Sequence, residues 1–109
     1  MAIRAIAVED DEAVAKLIAS VLASNGFEVC GTASTGEEGV ALARRERPDV
    51  ALIDLGLPKM SGEDVIATIR QELPKTACIA LTAVDIPARV LGAMRAGAAG
   101  YILKPFHAS

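Results

Sequence analysis

Tryptophan is absent from this 109-residue chain, and aromatic residues make up only 3% of it. A core must therefore be built from Ala, Val, Ile and Leu, which suits closely packed helices against a β-branched sheet. Long apolar runs are also missing. Hydrophobic residues reach 52% and the mean hydropathy is +0.40, yet no run approaches the roughly 20 residues that a membrane span needs. The N-terminal MAIRAIAVEDD carries an Arg inside a short strand-like run and shows no cleavage site, so no signal peptide is read there. A cytoplasmic location without membrane association is expected. Clusters of positive charge are lacking too. With a net charge of −3 and scattered Lys and Arg, direct nucleic-acid binding by this chain is not expected. Cysteine is scarce: Cys30 and Cys78 have no C-x-x-C spacing and read as small buried thiols of a reducing compartment. The lone His107 reads as an exposed bystander. No internal repeat, linker or low-complexity segment breaks the chain, and its length suits one domain.

What the sequence does contain is a regular alternation. Strand-like runs at Ile3–Val8, Phe27–Thr32, Val50–Asp54, Cys78–Thr82 and Tyr101–Leu103 are separated by helical patterns. The first helix starts near Glu12, with Asp11 placed as its cap and Asn25-Gly26 as its end. Its core face is predicted from Val14, Leu17, Ile18, Val21 and Leu22. Thr35-Gly36-Glu37-Glu38 fits a capping box for a second helix that Pro48 closes off. Ser61-Gly62 opens a third, with Val65, Ile66, Ile69 and Leu73 inward and Pro74 as its stop. Asp85 can cap a fourth, with Pro87 in its first turn, Val90, Leu91 and Met94 inward, and Gly97 at its end. Continuous apolar strands separated by helices imply an α/β domain: a doubly wound parallel sheet covered on both faces.

In such sheets ligands bind at the carboxyl ends of the strands. Here strand one runs into Glu9-Asp10-Asp11, strand three into Asp54, strand four into Thr82 and strand five into Lys104-Pro105. Acids, a hydroxyl and an amine thus converge on one edge. Carboxylates of Asp10 and Asp54 about 5 Å apart would repel by roughly 3 kcal/mol at an effective dielectric near 20. A hard divalent cation removes that conflict, and carboxylates with a backbone carbonyl and waters suit Mg²⁺. Together with Lys104 and Thr82 the site could hold a phosphoryl group, with Asp54 as the nucleophile that forms an aspartyl phosphate.

The motifs VEDDE at 8–12, DLGLPKMSG at 54–62, ALTA at 80–83 and GYILKPF at 100–106, in that order and spacing, resemble the receiver domain of bacterial two-component response regulators over nearly the whole chain. The resemblance implies a flavodoxin-like five-stranded sheet of order 2-1-3-4-5 and a phosphorelay switch rather than an enzyme. It implies that Asp54 accepts its phosphoryl group from the phosphohistidine of a histidine kinase or a phosphotransfer protein. Asp10 and Asp54 would ligate Mg²⁺ directly, joined by the backbone carbonyl of Gly56 and, through water, by Glu9. Lys104 would contact the phosphoryl oxygens, with a cis bond to Pro105. Thr82 would engage the phosphoryl group in the active state, and Tyr101 would turn inward as it does so.

Departures accompany the resemblance. Gly56 and Val84, two residues after Asp54 and Thr82, lack the larger or polar groups that influence aspartyl-phosphate lifetime in this family. A receiver usually ends with a fifth helix, and only KPFHAS follows strand five. The expectation is a receiver over residues 1–109 with that helix absent and a bare face able to pair with a second copy. RAGAAGYILKP resembles receivers followed by a helix-turn-helix domain, while Phe106 suits stand-alone and winged-helix types, so the output domain or partner protein is expected outside this chain. Three rival readings fit the residues less well. A haloacid-dehalogenase-type phosphatase needs a second Asp where Gly56 stands. A flavin carrier needs a phosphate loop where three acids stand. A degenerate receiver acting as an unphosphorylated interaction module would not require Asp10, Asp54, Thr82 and Lys104 together.

Overall fold

Strands and helices alternate strictly in the computed structural model, which describes residues 2–83 and 87–104. The order is β1 (Arg4–Val8), α1 (Glu12–Ser24), β2 (Glu28–Ala33), α2 (Gly36–Glu46), β3 (Val50–Asp54), α3 (Gly62–Glu72), β4 (Ala77–Thr82), α4 (Pro87–Ala96) and β5 (Gly100–Leu103). All strand pairs are parallel and the sheet order is β2-β1-β3-β4-β5. This is the flavodoxin-like architecture expected, with each element boundary within a residue or two of its sequence pattern.

Local chemistry starts the helices where the sequence places them. The Val14 N–H donates to Asp11 Oδ1 at 3.1 Å, capping α1. Asn25 follows as its C-cap and Gly26 takes a φ of 87°. The Asp64 N–H donates to Ser61 Oγ at 3.1 Å and opens α3. At α2 the Glu38 N–H donates to Thr35 Oγ1, and Glu38 Oε1 accepts from the hydroxyls of Thr35 and Ser34, so the box closes through hydroxyls.

The sheet separates two apolar layers. Ile6, Val8, Ala51 and Ile53 pack with Val40, Ala43, Val65, Ile66 and Ile69 of α2 and α3, and with Ala93 of α4. On the other face Ala7, Leu52 and Leu81 meet Ile18 of α1. Burial of this aliphatic surface at roughly 25 cal/mol per Å² holds the strand ends rigidly, and the site depends on that rigidity.

Two expected core faces are corrected. Leu17 and Val21 of α1 are 42% and 47% exposed, and Leu91 and Met94 of α4 are 55% and 43% exposed. In α4 the residue turned inward is Ala93, fully buried, with Ala98 just beyond the helix. The larger apolar side chains misled the reading of α4, which packs beside α3 and turns the small Ala93 into the core. On β5, Ile102 pairs in register with Leu81 on the α1 side of the sheet and stays 46% exposed. Cys30 is half-buried rather than buried, Cys78 is buried, and both are free thiols. Asp85, the expected α4 cap, and His107 lie outside the described residues. Among the described residues no helix is long and apolar enough to cross a membrane.

Candidate functional site: an acidic cleft at the strand ends

The parallel register brings the carboxyl ends of β1, β3, β4 and β5 to one edge of the sheet. Asp54 is the last residue of β3, in register with Leu81 of β4, and only 3% exposed. Glu9 follows β1 and is 1% exposed; its N–H donates to Ala33 O at 2.9 Å, which extends the ladder by one rung. Asp10 next to it is exposed. Carboxylate oxygens of Glu9, Asp10 and Asp54 all lie within 4.8 Å of one another. The cleft they share has a volume of about 390 Å³ and is also lined by Gly56, Thr82, Arg89 and Lys104.

Lys104 is the counter-charge. Its Nζ lies 2.6 Å from Glu9 Oε1 and 3.0 Å from Asp54 Oδ2. The Lys104 N–H donates to Thr82 O at 2.8 Å, fixing where the side chain starts. Burial drives the Glu9 pKa above the ordinary carboxylate range, outweighing the opposing pull of Lys104. For Lys104 desolvation works against the ammonium, and the contacts with Glu9 and Asp54 together overcome it, so its pKa is raised. Thr82 is 5% exposed and its side chain is engaged.

The backbone completes the site. The Gly56 N–H donates to Asp54 Oδ1 at 2.9 Å, and the Asp11 N–H donates to Glu9 Oε2 at 3.1 Å. A Cβ on Gly56 would lie 3.5 Å from Asp54 Oδ1, an ordinary contact, so glycine leaves that side of the carboxylate open without being sterically required. Gly62 is different. A Cβ there would collide with the Asp54 carbonyl oxygen and lie 2.7 Å from Leu55 Cα, so α3 can abut the site only through glycine.

The donor set suits a hard divalent cation. It is all carboxylate oxygen, and the only close partner of the buried Glu9 Oε1 among the described residues is the Lys104 ammonium. The structure thus brings Glu9, Asp10, Asp54, Gly56, Thr82 and Lys104 together. Tyr101 stands apart on β5, 43% exposed. Pro105 and Val84 lie outside the described residues.

Sequence reasoning missed Arg89. From the first turn of α4 its guanidinium donates to the Leu55 carbonyl and to both carboxylate oxygens of Glu63, at 2.9 Å and 3.3 Å. Its signal was available but faint: Arg89 sits four residues before the buried Ala93, on the face of α4 that turns toward the sheet.

A fold of this order, with acids, hydroxyl and lysine at the carboxyl edge, is a flavodoxin-like α/β domain of the receiver type. Residues 5–109 match the response regulator receiver domain model, and the chain belongs to that family. Among curated relatives, a probable transcriptional regulatory protein TcrX of Mycobacterium tuberculosis is 37% identical over 93% of this chain and 43% of its own length. The chemotaxis protein CheY of Thermotoga maritima is 32% identical over 97% of this chain and 88% of its own. The chain therefore spans less than half of TcrX. Among solved structures, the receiver domain of the putative response regulator NarL from Mycobacterium tuberculosis superposes with a TM-score of 0.90 at 33% identity, covering 97% of this chain and 86% of that one. A response regulator from Burkholderia pseudomallei, described with a phosphorylated aspartic acid and a calcium ion, superposes with a TM-score of 0.86 at 28% identity, covering 95% of this chain and 61% of that one.

Proposed function

We propose that this receiver is a working phosphoacceptor and that Asp54 carries the phosphoryl group. The observation that carries the reading is the placement of Asp54: buried at a strand end, bridged to Lys104 at 3.0 Å, and within cation-sharing distance of Glu9 and Asp10. A structural aspartate would not need this company, and burying such a cluster has a cost that function explains. Asp10, Asp54 and the Gly56 carbonyl would hold Mg²⁺, with Glu9 acting through water. When bound, Mg²⁺ supplies charge neutralisation for the carboxylates and for the incoming phosphoryl oxygens.

The chain's own residues do the rest. A carboxylate oxygen of Asp54 attacks phosphorus as the phosphorus–nitrogen bond of the donor phosphohistidine breaks, and the imidazole keeps the electron pair. Lys104 turns from the carboxylates to the phosphoryl oxygens, and the Thr82 hydroxyl donates to one of them. Tyr101 then moves inward from its exposed position, and the altered surface engages an output domain or partner protein. The donor would be a histidine kinase or phosphotransfer protein, and a cytoplasmic site of action is in keeping with the family.

Incubation with Mg²⁺ and acetyl phosphate, followed on phosphate-affinity gels, tests the assignment. Wild type should be labelled and Asp54→Asn should not, and Asp10→Ala should weaken Mg²⁺ binding at least tenfold. Equal labelling of wild type and D54N would overturn the role of Asp54. A folded wild type that neither labels nor binds beryllofluoride would favour the unphosphorylated interaction module instead.

A further inference from the structure

One peptide plane joins α4 to the Asp54 carboxylate. The Leu55 N–H belongs to the sheet ladder, donating to Leu81 O at 2.9 Å. The next peptide unit, Leu55–Gly56, has left the ladder and is gripped from both ends. Its N–H donates to Asp54 Oδ1 at 2.9 Å, and its carbonyl accepts from the Arg89 guanidinium. Arg89 is in turn oriented by the Glu63 carboxylate of α3, which accepts a forked pair at 2.9 Å and 3.3 Å. The path therefore runs Glu63, Arg89, Leu55–Gly56 peptide, Asp54, and each link is a hydrogen bond or a covalent unit.

From this we infer that Arg89 is a positioning residue for Asp54, acting through the Leu55–Gly56 peptide, and that the same contact lets the first turn of α4 register the charge state of Asp54. A cation on a peptide oxygen polarises the amide and strengthens the bond its N–H donates. Arg suits this place because its planar fork can serve a carboxylate and a carbonyl at once, which a lysine ammonium does less well. Arg89 also lines the Asp54 cleft beside Lys104, so negative charge added to Asp54 pulls on a guanidinium held by a half-exposed pair with Glu63 and by the Leu55 carbonyl. Phosphorylating the carboxylate changes what the Gly56 N–H can donate to, loosens the peptide, and frees α4 at its first turn. This coupling rests on the reading of Asp54 as the phosphoacceptor; the positioning role does not.

The test is amide hydrogen exchange by NMR on wild type, Arg89→Ala and Arg89→Lys, with thermal melts alongside. Exchange at Gly56 should quicken at least tenfold in R89A relative to Ile53 and Leu55, and R89K should recover part of the protection. Unchanged Gly56 exchange, or quickening shared equally by the whole of β3, would overturn the positioning role. Labelling by acetyl phosphate at saturating Mg²⁺ should slow about tenfold in R89A, and an unaltered rate would overturn the consequence for chemistry. Beryllofluoride should move the Arg89 Nε–H resonance in wild type and not in D54N. An unmoved signal in a wild type that binds beryllofluoride would overturn the coupling to α4. If wild type fails to label at all, the reading of Asp54 falls, while Gly56 exchange still decides the role of Arg89.

Discussion

Replacing Gly62 by alanine places one methyl group where the fold has no room and where the site begins. The built Cβ would overlap the Asp54 carbonyl oxygen and sit 2.7 Å from Leu55 Cα and 3.0 Å from the Asp54 carbonyl carbon. Ordinary carbon contacts lie near 3.5–4.0 Å, so relief requires a movement of about 1 Å. All three neighbours are backbone, so no side chain can swing away. Gly62 has no positive φ, so the cost is steric rather than conformational. Overpacking of this kind costs about 1–3 kcal/mol, and the better helix propensity of Ala returns less than ~1 kcal/mol. With an unfolding entropy near 2.1 cal/mol/K per residue, a 109-residue domain loses roughly 4–5 °C per kcal/mol. With about 0.5–2.5 kcal/mol left after that return, the melting temperature should fall by about 2–11 °C, read by calorimetry. The functional effect should be larger, because the displaced carbonyl belongs to Asp54 itself, and a misplacement of about 1 Å can cost ~100-fold in rate. Acetyl-phosphate labelling should slow on that order even at temperatures where the variant is folded. Gly92→Ala is the control: its Cβ would lie 3.8 Å from Glu63 Oε2, inside α4, and should be neutral or stabilising by up to ~1 kcal/mol. A G62A protein that melts within 1 °C of wild type and labels at the same rate would refute the reasoning.

The pH dependence of stability should carry the mark of Glu9. Its folded pKa is raised by burial, so between the ordinary carboxylate value and that raised value the folded state holds more proton than the unfolded. Stability contributed by Glu9 is thus greatest at low pH and declines as pH rises through that window. In metal-free buffer the difference in melting temperature between wild type and Glu9→Gln should move against wild type from about pH 4.5 upward. A difference that moves the other way would show that Lys104 outweighs burial. For the thiols, burial pushes Cys78 up to about 11, leaving on the order of one thiolate in a thousand at pH 8. Iodoacetamide should label native Cys78 about a hundredfold more slowly than an unperturbed thiol, as mass spectrometry of the digest would show. Rapid native labelling would mean that the core opens far more readily than its packing implies.

Most of the fold was legible because local and long-range signals agree. Asp11, Thr35 and Ser61 are capping residues placed just before helical periodicity, and each caps its helix. Val50–Asp54 is continuously apolar up to its last residue because both faces of the sheet are covered. The site was legible for a topological reason: in a parallel sheet the residue after each strand is delivered to the same edge, so listing those residues assembles the cleft. What failed was the rotation of α4. Leu91 and Met94 are stronger hydrophobic signals than Ala93, yet it is Ala93 that α4, packed beside α3, turns into the core. With the helix turned wrongly, the bond from Arg89 to the Leu55 carbonyl could not be foreseen. The same weakness appears in α1, where Leu17 and Val21 carry the right period but flank the buried stripe through Ala15 and Ile18. Periodicity marks a face only to within about a third of a turn.

The charges at the strand ends do not balance, and the imbalance has a direction. Ionised Glu9, Asp10 and Asp54 bring three negative charges within 4.8 Å of one another, and Lys104 returns one positive charge, so two remain uncompensated. Arg89 cannot make up the difference, since its guanidinium is committed to Glu63 and to the Leu55 carbonyl. Apolar strands behind the cleft lower the local dielectric and magnify the deficit. On the proposed reading a divalent cation would carry the two charges that are missing and so offset the repulsion within an all-oxygen cluster at the end of so apolar a sheet. Adding a phosphoryl group reverses the demand. The cleft then holds surplus negative charge on the side where Lys104, Thr82 and Arg89 stand. Lys104 is anchored through its own N–H to Thr82 O, so a shift of one is felt by the other. Arg89 is anchored in α4, so its shift moves a helix. Held rigid from below and unbalanced above, the site has its compliance concentrated in β4, β5 and α4.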